Sequence, residues 1–440
     1  MNEGKKGLLK NITSVGFVQI ANYVFPMITI PIVSRIVGPD KLGVINFTAS
    51  FIAYFTLLIG FGFDLTATRK IAADPGNENN RNKVFSEVFT SQSLLFIFSL
   101  VVFIISLYTI PELKQEKMVA IYTFLTCLAT LFTQNWLFQA MQDLPKVAIL
   151  NLLSKVIFTI IILIMVKAKE DYIWQPLALS LSQVLIAIIS FAWAIKKYRL
   201  KFHFIKVSRS LRLLWDEKTF FFSLCIISLY TTTNIVVLGI LQDSTQVAYY
   251  TSAQKLIAIM QAVITIPLAQ AFYPYIGKAF GESYERGIEI AQKLIPIVFV
   301  FTFIAGVIIF AGAPIFIKFF YGEAFKPAIE VCRILAFVPM CIALGTIAGI
   351  HVMLNLKKDK LFFKVICVGA TVSIFLNIFL VKHFGYIGSA YTWAITECFN
   401  LVLLVVMLKI HGISILNLTY FKFISYRGKL ILLKKLIIKT

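Results

Sequence analysis

Runs of apolar residues about as long as a bilayer is thick alternate with short polar turns along the whole chain. Residues 94–108 and 295–317 carry no charge at all, and a helix needs roughly 20 mostly apolar residues to cross the hydrocarbon core. The pattern predicts about twelve membrane helices over residues 12–34, 43–66, 84–109, 118–139, 147–166, 174–195, 219–241, 247–276, 291–316, 330–353, 364–381 and 386–408. Pro26 and Pro31, Pro267 and Pro274, and Pro296 fall inside these spans, where each is expected to kink its helix and free a backbone carbonyl. The first run follows Lys5, Lys6 and Lys10 as in a secretory leader, but it is long for one and lacks an A-x-A cleavage site. It reads as the first membrane helix.

The turns are lopsided in charge. Those on the amino-terminal side hold 30 of the 42 Lys and Arg residues, counting Lys293 and Lys364 at the inner ends of their spans, those on the other side nine, and Lys155, Lys255 and Arg333 lie deeper within spans. By the positive-inside rule both termini are expected to be cytoplasmic. The most basic segment, 196–218, divides the chain into two halves: a six-helix bundle over 1–195, and a second over 219–408 followed by a basic amphipathic tail at 409–440. A faint repeat supports the division, since GPDKLGVINFTASF at 38–51 is echoed by QDSTQVAYYTSAQKL at 242–256. Such repeats are common in transporters.

Composition closes off the soluble classes. The chain is 59% hydrophobic and 14% charged, with a mean hydropathy of +0.85, against about a quarter charged in soluble domains. The formal charge of +21 therefore reports orientation and contact with anionic headgroups rather than nucleic-acid binding. The six Cys residues sit in apolar runs without a CxxC pair, and no His stands at metal-ligand spacing. No phosphate loop is present, which argues against direct nucleotide drive and leaves a proton or sodium gradient, the membrane potential or substrate flux. The loops are too short to hold an enzyme's carboxylates at fixed distances, so a membrane glycosyltransferase or polymerase is disfavoured.

Ionisable groups inside the spans form the short list of candidate site residues, because each costs roughly 2.5 to 3.5 kcal/mol at the bilayer centre. Lys255, two turns into its span, is the leading ligand for an anionic substrate. Asp64 can act on a bound anion, exchange a proton or form an ion pair, and Glu397 can carry a coupling ion or pair with another helix. Arg35 ends the first span at its outer mouth and Arg69 follows Asp64. Lys155 and Arg333 read as side chains that reach back to the interface. The excess of cations suits an anionic headgroup such as a diphosphate.

Several blocks resemble the O-antigen and polysaccharide flippases of the multidrug, oligosaccharidyl-lipid and polysaccharide exporter superfamily. They are NYVFPMITIPIVSRIVGPDKLG at 22–43, GFGFDLTATRKIA at 60–72, NWLFQAMQDLPKVAILN at 135–151, VAYYTSAQKL at 247–256, FYGEAFKPA at 320–328 and HFGYIGSAYTWAITE at 383–397. The resemblance implies an all-α membrane protein with twelve helices in two bundles around a central cavity. It also implies alternating access, in which an undecaprenyl diphosphate-linked oligosaccharide is carried across a bacterial cytoplasmic (inner) membrane. By position, Lys255 matches a basic cavity residue of related lipid-linked precursor flippases, and Arg35 and Arg69 match recurring arginines. Asp64 stands where an amide is common and Ala140 where glycine is common. The expected partners are the lipid-linked glycan, membrane lipids and a polysaccharide polymerase or ligase, with the protein itself a monomer. Two other readings compete: a drug or organic-cation antiporter of the same fold, and a non-transporting scaffold of a glycan assembly complex.

Overall fold

The computed structural model describes residues 3–417 and 419–422, and their side chains except 3–24, 144, 227, 229–231, 264–271 and 422. The expected tail helix beyond residue 422 and the Pro267 side chain lie outside the described residues. All regular structure among the described residues is helical. Among the described residues, eight helical stretches are long and apolar enough to cross a membrane, and the chain is a multi-pass membrane protein. Two of the eight, Phe25–Ala72 and Asp359–Ile410, run to 48 and 52 residues, about twice the length that one crossing requires.

Each of those long stretches is broken where the sequence places a turn. In α1 (Glu3–Gly60), Gly38 has φ 77° and ψ 171°, a region essentially reserved for glycine, and Pro39 then starts the next helical run at a position that needs no N–H. In the 52-residue helix near the carboxyl end, Gly385 (φ 56°, ψ −134°) does the same.

The chain forms two compact units, Met1–Thr251 with Lys318–Lys326, and Ser252–Ile317 with Pro327–Thr440. The basic segment 196–218 lies within the first. After α1, the first unit contains α2 (Phe63–Ala72), α3 (Glu78–Thr109), α4 (Pro111–Gln115), α5 (Lys117–Phe132), α6 (Asn135–Ala140), α7 (Leu144–Met165), α8 (Trp174–Tyr198) and α9 (Val207–Leu241). The division then falls within α10 (Ser244–Met260). The second unit continues with α11 (Ile266–Glu282), α12 (Tyr284–Tyr321, whose last turn belongs to the first unit), α13 (Ala328–Leu335), α14 (Val338–Thr346), α15 (Asp359–Ile410) and α16 (Thr419–Lys422).

Two cores organise the first unit. One packs the Phe63, Ala67 and Ile71 stripe of α2, spaced by four residues, against Trp136, Leu137 and Phe138 of α6 and Val84, Phe85 and Val88 of α3. The other gathers Val33, Val37, Ile162, Val166 and Ala178. The two repeated turns meet. A Cβ on Gly43 would come within 1.6 Å of the Ser244 carbonyl oxygen, Asn46 donates to Thr251 at 2.8 Å, and the Tyr54 and Thr233 hydroxyls share a 2.7 Å bond.

In the second unit, Ala291, Ile295, Ala343, Val352, Val365 and Leu404 head the core. The predicted span 330–353 proves to be two short α-helices followed by a π-helix over Ile347–Met353. Wider turns of that kind are often found at functional sites.

Candidate functional site

Two helix breaks open onto one cavity in the first unit. Phe61 (φ 47°) and Gly62 (φ 80°) interrupt the path from α1 into α2, and a Cβ on Gly62 would strike the Phe220 ring at 2.5 Å. The break places Asp64 in the first turn of α2, where the free N–H groups and helix dipole favour a carboxylate. The second break, at Thr133 and Gln134, separates α5 from α6 in the middle of an apolar span. Gln134 is fully buried and its amide turns back to donate to the Leu131 carbonyl at 2.9 Å. Irregular backbone at membrane depth is tolerated where it is covered by protein or lines a cavity.

The cavity measures about 510 Å³ and is lined by α1, α2, α3, α5, α7 and α8 together with the α5–α6 break, within the range of roughly 300 to 1,000 Å³ usual for small-molecule sites. Its charged residues are one acid and one base, Asp64 and Lys155. Four amides, Gln92, Asn135, Asn151 and Gln183, join them, with hydroxyls from Thr130, Thr133, Ser154, Ser182 and Ser190 and the rings of Phe25 and Phe158.

The hydroxyls and the amides differ in how they are satisfied. Thr130 and Thr133 donate to Thr126 and Ala129 carbonyls of their own helix at 3.0 and 2.7 Å, and Ser182 to Leu179 at 2.9 Å. Among the described residues, none of the four amide side chains, nor the Asp64 carboxylate or Lys155 ammonium, has a protein hydrogen-bond partner. Gln92 is 97% buried with its Oε1 unsatisfied. Buried polar groups are nearly always bonded, so the unsatisfied Gln92 marks a surface built to meet something, and the half-buried Asn135, Asn151 and Gln183 line the same space.

The residues singled out from the sequence scatter. Asp64 lines the cavity. Lys155, read as reaching for the interface, instead lines it too. The helix starts at Leu144 rather than at 147, which leaves Lys155 about 15 Å from either end, too far for comfortable exit. Arg35 donates to the Phe319 carbonyl at 2.7 Å and the Lys318 carbonyl at 3.4 Å, and Ser34 to Phe320 at 3.1 Å, so these side chains cap the end of α12. Arg69 is exposed in the last turn of α2 and is not among the cavity-lining residues. Lys255 on α10 and Glu397 on α15 belong to the second unit. Glu397 accepts from Trp393 Nε1 at 3.3 Å, and its neighbour Cys398 has its Sγ 3.4 Å from that of Cys341. Arg333 lies over the Phe310 ring at 5.5 Å.

The sequence reading passed over the amides because it weighed charges only. The signal was present: Gln92 in TSQSLLF, Asn151 in AILNLLS and Gln183 in LSLSQVLI interrupt otherwise apolar helices.

A family model described as "Polysaccharide biosynthesis protein" matches residues 8–280, more than half of the chain. The chain belongs to this polysaccharide biosynthesis family. Relatives include two proteins named "Putative O-antigen transporter". The one from Escherichia coli (strain K12) is 28% identical over 404 residues, covering 90% of this chain and 96% of the relative. The one from Shigella dysenteriae is 26% identical over 391 residues, covering 88% and 96%. Among solved structures, the lipid II flippase MurJ in an inward closed conformation superposes with a TM-score of 0.73 at 16% identity, over 98% of this chain and 92% of that one. An inward-facing multidrug resistance MATE family transporter gives 0.68 at 15% identity, over 94% and 100%. The fold is shared with these membrane transporter and flippase structures.

Proposed function

We propose that this protein flips an undecaprenyl diphosphate-linked oligosaccharide repeat unit from the inner to the outer leaflet of a bacterial cytoplasmic membrane, by alternating access through twelve helices with both termini cytoplasmic. The observation that carries the reading is the cavity: amide side chains without protein partners among the described residues, gathered around two broken helices, with one carboxylate and one ammonium. A drug-sized organic cation is best met by acidic and aromatic walls, whereas a glycan needs many donors and acceptors with little net charge. The O-antigen transporter relatives support the substrate class, and the asymmetry of basic turns supports the topology. Lys255 is the proposed ligand of the diphosphate.

Deleting the gene in its host is expected to abolish surface polysaccharide and to accumulate lipid-linked repeat units whose glycan is exposed only at the cytoplasmic face, seen as lectin binding to inverted but not right-side-out vesicles. Restoring Lys255→Arg is expected to recover most of the polysaccharide, and Lys255→Ala less than a tenth. A deletion strain whose repeat units reach the outer leaflet normally would contradict the proposal.

A further inference from the structure

We infer that the cavity of the first unit is a subsite for the uncharged, hydroxyl-bearing part of the substrate, with Gln92, Asn151 and Gln183 hydrogen-bonding to sugar hydroxyls, and that it is not where the diphosphate binds. The inference rests on the flippase reading and assigns one region of its binding surface.

Charge is the first argument. A diphosphate calls for several cations or backbone N–H groups converging on it, whereas here the single Lys155 is offset by Asp64 in the same cavity. A carboxylate beside a phosphate is repulsive. The same carboxylate is a good acceptor for hydroxyl donors, as Lys155 is a donor to hydroxyl and ring oxygens.

The amides supply the second. Each carries two donors and one acceptor with two lone pairs, which suits a hydroxyl that both gives and accepts. Gln92 on α3, Asn151 on α7 and Gln183 on α8 approach from three helices, and all three lack a partner among the described residues. Satisfying one another would have silenced them. Instead they remain available to one occupant in the same space.

The third argument is shape and lining. The space of about 510 Å³ is bounded by the Phe25 and Phe158 rings as well as the amides. Apolar walls with a few placed polar groups fix the orientation of a bound molecule, and aromatic faces accept the C–H faces of a sugar ring. A site that hydrogen-bonds hydroxyls also discriminates sharply against analogues that lack them, because its own buried groups would then be left unpaired.

Glycan released from the host's own surface polysaccharide as the free repeat-unit oligosaccharide, without lipid or diphosphate, serves as one probe, and undecaprenyl diphosphate without sugar as the other. Binding of each to the purified full chain is measured by calorimetry for wild type, Asn151→Leu, Gln183→Leu and the milder Gln183→Asn, with melting to confirm folding. The expected result is at least a tenfold loss of oligosaccharide affinity in both Leu variants, a smaller loss in Gln183→Asn, and sugar-free lipid binding within twofold of wild type throughout. Equal affinity of wild type and the Leu variants for the oligosaccharide would overturn the inference, as would a parallel loss of sugar-free lipid binding. Wild type that moves lipid-linked glycan between leaflets but binds no free oligosaccharide overturns the subsite and leaves the flippase reading standing. Wild type that moves no glycan of its host removes the flippase reading itself.

Discussion

Asp64 and Lys155, from α2 and α7, line the same 510 Å³ cavity, and neither has a protein partner for its charged group among the described residues. Opposite charges that line one cavity attract each other even without contact. Neutralising one should therefore cost more than neutralising both. Asp64→Asn and Lys155→Gln are each expected to lower the melting temperature in detergent, and the double variant to recover part of the loss. Strict additivity would mean that the two groups do not sense each other.

Asp143 ties down the turn between α6 and α7. It accepts from Lys146 and Tyr198, each at 3.0 Å, and from Lys197. Partial burial pushes its carboxyl up, but these bonds outweigh burial and hold it below the ordinary carboxylate range. A carboxylate depressed on folding stabilises the protein above its unfolded pKa, and the contribution is lost as pH falls through the lower folded value. Asp143→Asn is expected to cost about 1 kcal/mol at pH 7, reduced from the bare interaction by solvent screening. The difference between variant and wild type should shrink as melts are taken from pH 7 toward pH 3. A difference that grows on acidification would contradict the assignment.

The close approach at Gly43 leaves no room for a side chain. A Cβ there would sit 1.6 Å from the Ser244 carbonyl oxygen, and both partners are backbone, so relief requires the helices to separate. Gly43→Ala is expected to destabilise by about 1 to 3 kcal/mol or to prevent folding. Gly60→Ala, whose Cβ would meet nothing within 4 Å, should be tolerated.

Arg35 holds the carboxyl end of α12 through the Phe319 and Lys318 carbonyls. Arg35→Ala leaves those carbonyls without their cationic partner and should cost about 1 kcal/mol, read as a melting shift. Arg35→Lys keeps the charge but not the forked geometry and should recover only part.

How far these features could be read in advance depended on how many residues encode each. The all-helical membrane character was legible because apolar runs of about twenty residues recur along the chain, and the turns at Gly38 and Gly385 because Gly and polar neighbours interrupt those runs. Helix breaks within spans were not. The one at Thr133 and Gln134 and the π-turn at 347–353 depend on a few residues whose hydropathy barely alters the run, and local packing decides them. Asp64 was legible as a candidate because an acid in an apolar segment is costly. Lys155 looked nearer a helix end than it is because the helix starts at Leu144, three residues before the predicted boundary. The amides escaped notice because a single Gln or Asn can bond within its own bundle, and only the structure shows that these four do not.

The central claim is tested most directly in liposomes. The purified protein is reconstituted with fluorescent undecaprenyl diphosphate oligosaccharide of its host's structure, and a membrane-impermeant oxidant then reads the fraction of glycan exposed outside over time, with and without imposed proton and sodium gradients. Protein-containing vesicles are expected to expose glycan from the inner leaflet well beyond the half accessible in protein-free vesicles, with Asn151→Leu and Gln183→Leu slowed at least tenfold. Exposure that stays at the protein-free level under every gradient would contradict the account.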